Sequence, residues 1–201
     1  MTDVITLPVG IFQANCYLLF SKNVIVVIDP GGGYRKIKQK LDTFQEYKVL
    51  AILLTHGHLD HIGAVDELVK DYHCPIYLSK DDEVLAKDPD LNKLYERSSQ
   101  IISPIKNYPV GKLTLGSFTF EIYDTPGHTA GSVCLKWQNY LFTGDTLFAG
   151  DVGRTDLYSG SETALKSSLK LISGLNPELI IYPGHGESST LEKELLTNKY
   201  L

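Results

Sequence analysis

The segment Leu50 to Val65, "LAILLTHGHLDHIGAV", constrains the fold more than any other part of the chain. A continuous apolar run of strand length passes directly into a loop bearing His56, His58, Asp60 and His61. The chain then leaves along a helical stripe of Ile62, Val65, Leu68 and Val69. Such a strand must end at the edge of a sheet with its polar loop at one fixed place. The chain holds six histidines in 201 residues, so a six-residue window should contain roughly 0.2 of them; this one contains three. A core histidine is usually single, and three beside an aspartate would be costly to desolvate. A solvated loop would account for polarity but not for the choice of imidazole. Imidazole is the commonest protein ligand for zinc and similar metals, and carboxylate oxygen complements it. His56 and His58, two apart in extended chain, point to one side. Asp60 and His61, at the turn into the helix, face a slightly different centre, and Asp60 alone would also serve as a helix N-cap.

The remaining histidines are His73, His128 and His185. His128 follows the strand-like "FTFEIYD" through Pro126-Gly127, and His185 follows "LIIYP" through Pro183-Gly184. Asp145 closes "LFTGD" in the same kind of position. Strands of one sheet that end on the same side would gather these groups, as ligand sites gather at the carboxyl ends of strands in open sheets. His73, in "KDYHCPIY", fits no such pattern and is expected to be a partly buried loop histidine.

The organisation around these ligands is α/β. "VITLPVG", "NCYLLF" and "VIVVID" have strand character, and "DPGGG" stops the third. Ile37, Leu41 and Phe44 lie at helical spacing within Tyr34 to Phe44, and "PIYLS", "SVCLKW" and "NYLFTGD" return to strand. Ser161 to Ile172 has helical spacing, and Ser189 with Glu192 forms a capping-box pattern before a last charged helix. Lys80 to Asn107 is more polar; two short helices and no clear core face are expected there, as in a surface insertion or lid over a site. No internal repeat or linker divides residues 1–201, so a single domain is expected.

The formal charge of −5 and the lack of a Lys/Arg-rich block argue against nucleic acid or an anionic membrane as partner and favour a small molecule. "MTDVITLPVGIFQANCYLLF" has no basic stretch leading into an apolar one, and polar residues interrupt every apolar run; the expectation is a soluble, unexported, cytoplasmic protein. Cys16, Cys74 and Cys134 are odd in number and set among apolar neighbours, as suits reduced packing residues.

"THGHLDH", "PGHT", "GD" and "PGHG" in this order resemble the metallo-β-lactamase-fold hydrolases, and the short spacing most resembles their glyoxalase II-like, or hydroxyacylglutathione hydrolase-like, branch. The likeness runs from "DPGGG" to "PGHG", nearly the whole chain. It implies a four-layered αββα sandwich of two mixed β-sheets. It also implies two divalent metal ions, zinc first with iron or manganese as alternatives. His56, His58 and His128 would hold one, Asp60, His61 and His185 the other, and Asp145 would bridge them. A two-metal site holds a hydroxide nucleophile between its ions at neutral pH without a separate general base, with Asp60 and Asp145 the catalytic carboxylates that bind those ions. Thioesters suit it because a thiolate leaves with little need of a proton, so hydroxyacyl-thiol esters such as S-lactoylglutathione are the implied substrates. Asp29, in "VIDPGGG", belongs in that family to a motif near the metals and would orient a ligand from behind it; equally, it could simply shape a turn. "GRTD" places Arg154 where it could hold a substrate carboxylate, with Asp156 beside it; the pair could instead close on itself in a turn. Tyr158 and Lys112 are weaker candidates.

The chain departs from full-length glyoxalase II in ending a short helix after His185, without the separate C-terminal helical domain that supplies much of the glutathione contact. The thiol carrier is therefore open. The alternative within the fold is a mononuclear-iron persulfide dioxygenase using positions matching His56, His128 and Asp145. That branch generally carries a cysteine before "GRTD", where this chain has Val152-Gly153. A lactonase or other ester hydrolase is a further alternative. A nuclease would need a basic groove, and a non-catalytic binding module would have no reason to keep every ligand.

Overall fold

A computed structural model describes residues 4–201. Two six-stranded mixed sheets lie face to face between two layers of helices. The first sheet starts with the antiparallel strands β1 (Val4–Val9), β2 (Ala14–Ser21) and β3 (Val24–Ile28) and continues in parallel through β4 (Lys48–Leu53) and β5 (Ile76–Leu78). A hairpin of β6 (Lys93–Leu94) and β7 (Arg97–Ser98) precedes the last strand, β8 (Ile105–Asn107), which pairs in parallel with β5. The second sheet contains β9 (Lys112–Leu115), β10 (Phe118–Asp124), β11 (Val133–Trp137) and β12 (Tyr140–Gly144). After a hairpin of β13 (Leu147–Phe148) and β14 (Asp151–Val152), it is completed by β15 (Ile180–Pro183), parallel to β12, and by β16 (Ser189–Thr190).

Alternation along the strands builds the layers. Cys16, Leu18 and Phe20 face an outer core with Ile37 and Leu41 of helix α1 (Tyr34–Leu41). Tyr17 and Leu19 face the opposite way, into the core between the sheets, where they join Phe118, Phe120, Trp137 and Phe142. Sheets buried on both faces require apolar residues at successive positions, which is why "NCYLLF" and "VIVVI" lack the apolar-polar alternation of a half-exposed strand. Beyond the second sheet, Cys134, Leu141 and Ile181 pack against Leu165, Leu169 and Ile172 of a long helix near the C-terminal end of the chain.

Several expectations need correction. The stripe beginning near Asp60 is two helices, α2 (Leu59–Ile62) and α3 (Val65–Tyr72). The chain breaks at Gly63-Ala64 to pack on the Pro30-Gly31 loop, where the Ala64 N–H donates to the Pro30 carbonyl at 2.9 Å and a Cβ on Gly63 would stand 2.7 Å from the Gly31 oxygen. The Lys80–Asn107 segment holds two short helices that run one into the other, a 3-10 turn at Lys80–Asp82 and α4 (Glu83–Lys87), but it does have a core face: Asp82, Leu85, Ala86 and Ile101 are buried. The helix expected from Ser161 is α5 (Glu162–Ser173), with the Ser161 hydroxyl capping the Ala164 N–H. The final helix is α6 (Leu191–Thr197), capped by Thr190 rather than Ser189. Ser189 sits in β16, and its hydroxyl donates to Glu194 at 2.5 Å. His73 is exposed rather than partly buried; it ends α3 in the left-handed conformation, with φ of 50°. Among the described residues no helix is long and apolar enough to cross a membrane. Cys16, Cys74 and Cys134 are free and buried.

Candidate metal centre

The groups singled out in the sequence meet at the edge where the two sheets face each other, so they come from two sheets and not from one. His56, His58, Asp60 and His61 lie on the turn from β4 into α2, with His58 at the N-cap position. His128, Asp145 and His185 follow β10, β12 and β15. Because β10 and β12 are both antiparallel to β11, and β15 is parallel to β12, these three strands end on the same side. The Val133 N–H, donating to the Thr55 carbonyl at 2.8 Å, ties the two sheets together at this edge.

His58 Nδ1 lies 2.8 Å from His128 Nε2, and the His56 ring packs between His58, His61 and His128 with centroids 4.9, 4.1 and 4.8 Å away. Asp145 sits among three histidines: 3.4 Å from His61 Nε2, 3.6 Å from His128 Nε2 and 3.5 Å from His185 Nε2. Asp60 reaches His185 Nε2 at 3.2 Å. Three sets of ligand atoms lie within 4.8 Å of one another: His56, His58 and His128; His56, His61 and Asp145; Asp60, His61 and His185.

The hydrogen bonds behind the rings fix which nitrogen faces inward. Thr55 Oγ1 donates its only proton to Asp29 Oδ2 at 2.6 Å, so it can only accept from His56 Nδ1, 3.1 Å away. His61 Nδ1 faces the same Asp29 oxygen at 3.0 Å and donates to it, while His128 Nδ1 donates to the Arg154 carbonyl at 2.7 Å. In their neutral forms all three rings therefore present a bare Nε2 lone pair to the centre. His56 Nε2, His61 Nε2 and Asp145 Oδ1 are buried there without any hydrogen-bond partner. Buried unsatisfied polar atoms are rare and require a cause, and lone pairs that converge with carboxylate oxygens fit a divalent cation.

The charges agree with this. Burial, with His61 and His128 adding repulsion, holds His56 well below the ordinary imidazole range, and burial with His128 pushes His58 down to about 3. Burial alone would lower His61 and His185 too, but Asp145 and Asp60 outweigh it, lifting His61 well above its ordinary value and His185 to about 9. Asp145 is held well below the carboxylate range against its burial, by His61 and His185. The centre thus demands positive charge, and a cation meets that demand while leaving the imidazoles neutral.

A cavity of 310 Å³ opens over these ligands. Phe12, Leu91 and Leu94 supply apolar wall, and Asn92, Lys93, Arg154 and Tyr158 supply the polar groups besides the ligands. Among the described residues, its acidic side chains are Asp60 and Asp145. The Arg154 guanidinium is already engaged bidentately by Asp156, at 2.7 and 2.8 Å, in a solvent-exposed pair. Lys112 lies on β9, outside the cavity lining.

Sequence reasoning missed the residues that hold the loops by their main chain. Asn15 grips the loop of His185: its Nδ2 donates to the Pro183 and Gly186 carbonyls at 3.0 Å, and its backbone N–H to Gly184 at 2.7 Å. Gly184 itself could have been anticipated, because it brings backbone so near the ligands that a Cβ would stand 2.0 Å from Asp145 Oδ1 and 2.8 Å from the His61 ring.

The family model described as the metallo-beta-lactamase superfamily matches residues 9–185. Hydroxyacylglutathione hydrolase GloC of Haemophilus influenzae is 35% identical, over 97% of this chain and 96% of that protein. Among solved structures, BLEG-1 B3 metallo-β-lactamase superposes with a TM-score of 0.94 at 36% identity, covering 99% of both chains. TTHA1623, determined in a di-iron-bound form, superposes with a TM-score of 0.88 at 35% identity over 98% of this chain and 100% of that one. The ligand order, the paired mixed sheets and these matches agree, and the chain belongs to the metallo-β-lactamase superfamily.

Proposed function

We propose that this protein is a binuclear metal-dependent hydrolase of hydroxyacyl thioesters, acting as a single domain in the cytoplasm. His56, His58 and His128 would hold one metal, Asp60, His61 and His185 the second, and Asp145 would be shared. The carrying observation is the position of Asp145, within 3.6 Å of His61, His128 and His185, which belong to both sets. An all-nitrogen-and-oxygen donor set suits zinc, with iron or manganese as alternatives.

Two divalent ions, when bound, supply Lewis acidity and a hydroxide at neutral pH. The chain's own residues do the rest. Asp29 holds His61 directly and His56 through Thr55, keeping both rings in the tautomer that presents Nε2. Asp60 and Asp145 contribute two negative charges, fewer than two divalent ions carry, so the centre favours an anion developing beside it. Phe12, Leu91 and Leu94 keep water from the bound acyl group. Arg154 at the rim could take a substrate carboxylate bidentately by exchanging it for Asp156. Among the described residues, the cavity offers no carboxylic acid besides the ligands to protonate a leaving group. That supports a thioester, whose thiolate departs unprotonated, over the amide of a β-lactam.

The test is metal analysis of protein purified without chelator, then reconstitution with zinc, ferrous iron or manganese. Each form is assayed on S-lactoylglutathione, a chromogenic cephalosporin and glutathione persulfide. About two metals per chain, with thioester hydrolysis rising with occupancy, is the expected result. A single iron with oxygen uptake on the persulfide would overturn it in favour of a dioxygenase, and preferential cephalosporin turnover would replace the substrate class.

A further inference from the structure

Asp82 is fully buried in the segment that the sequence presents as a polar surface insertion. It occupies the N-cap position of α4, where an aspartate ordinarily accepts from its own helix, yet it makes no side-chain capping bond. Its carboxylate is turned away instead. Oδ2 accepts from the Gly57 N–H at 2.8 Å and from the Thr129 hydroxyl at 2.7 Å, and Oδ1 accepts from the Gly131 N–H at 2.8 Å. Gly57 lies between His56 and His58, whereas Thr129 and Gly131 follow His128. The other side of the Gly57 peptide is held from the same segment, because Asn92 Nδ2 donates to the Gly57 carbonyl at 2.7 Å. A Cβ on Gly131 would stand 2.6 Å from the Asp82 nitrogen and 2.8 Å from its carboxyl carbon, so only glycine admits this approach.

We infer that Asp82 is a positioning residue that staples the loop of His56 and His58 to the loop of His128, setting the distance across one of the two ligand sets. His61 and His185 lie outside its reach and are oriented by Asp29 and Asn15. The inference rests on the two-metal reading only for its consequence; the staple itself is a contact of the metal-free chain. Charge-assisted bonds of this kind are roughly twice as strong as neutral ones, and outer partners of metal ligands typically control 10–100-fold in metal affinity.

Asp82→Asn tests it, because an amide offers one acceptor oxygen and must turn its NH2 toward a backbone N–H on the other side. Hydrogen exchange of metal-free protein comes first. Gly57 and Gly131 amides should be protected in the wild type, and at least the one that faces the new NH2 should exchange about tenfold faster or more in Asp82→Asn, with amides of the β11–β12 core unchanged. Next, chelator competition should show one metal of the pair weakened about 10–100-fold and the other within a few-fold. Anomalous scattering from crystals grown with one equivalent of zinc should find the depleted position at His56, His58 and His128. Thr129→Val should give a smaller loss in the same direction and Thr129→Ser should restore it. Unprotected Gly57 and Gly131 amides in the wild type, or equal weakening of both metals in Asp82→Asn, would overturn the staple. A wild type that binds no metal would instead strike at the proposed function, with the exchange result still deciding the staple.

Discussion

The first sheet contributes four of the candidate ligands from six consecutive residues, His56 to His61, whereas the second contributes His128, Asp145 and His185 one at a time from three strand ends. The contiguous set is held by a single strand-to-helix turn and by Asp29 behind it. The distributed set has no such local frame; its spacing is set by the pairing of β10, β11, β12 and β15, including the irregularity between Phe142 and Gly144 where β15 joins β12. Local chain geometry can therefore build half a metal centre. The other half requires the register of a whole sheet.

The comparison breaks most directly at Asp145, the distributed residue proposed to be shared between the two metals. Asp145→Ala should remove hydrolysis and lower metal content at both positions, by more than the 10–100-fold usual for mere outer partners. Metal stoichiometry beside circular dichroism reads this, and a variant that keeps one metal at full affinity would show that Asp145 serves a single set. Gly184→Ala comes next. Its methyl would enter the space of Asp145 Oδ1 and the His61 ring, and the backbone there is pinned by the Gly184 N–H to Gly144 bond at 2.7 Å. Metal affinity should fall about tenfold or more, from overpacking without loss of any ligand. Chelator competition measures it, and wild-type affinity would mean that the distributed set has more slack than its register implies.

The same contrast explains what could be read from the residues alone. Three histidines in "THGHLDH" exceed chance so far that the contiguous set is visible without a fold, and the Pro-Gly punctuation makes His128 and His185 recognisable as strand-end residues. What no pattern carried was the assignment of those strands to a second sheet, since apolar runs buried on both faces look alike whichever sheet they join. Asn15 and Asp82 were hidden for a related reason. Each holds main-chain groups more than 20 residues away, and one amide or carboxylate in an otherwise ordinary stretch has no local signature. The break at Gly63 and the buried face of the Lys80–Asn107 segment are likewise decided by close backbone packing.

A smaller effect belongs to the rim. Arg154 is presented by a loop whose backbone already supports His128, so its side chain and its carbonyl have separate tasks. Arg154→Ala keeps the carbonyl and deletes the guanidinium. It should raise KM for an anionic thioester several-fold while leaving kcat and metal content near wild type, because uniform binding is lost without change at the reacting bond. The exposed pair with Asp156 adds little stability, so Tm should hardly move. A fall in kcat at constant KM would place the guanidinium at the reacting bond instead.

His73 is the one histidine outside both sets and gives the smallest effect. It closes α3 with φ of 50° while its N–H donates to the Val69 carbonyl at 2.8 Å, a helix-ending geometry that glycine adopts without strain. His73→Gly should therefore leave turnover and metal content unchanged and raise stability by up to about 1 kcal/mol, the order of the left-handed penalty for a residue with a Cβ. For a chain of this length that is a Tm increase of about 2–4 °C at most. The gain is limited because glycine also frees the unfolded chain. If metal content fell instead, a sixth histidine would have to be added to a centre that neither sheet leads it toward, and the division between contiguous and distributed ligands would fail at its simplest point.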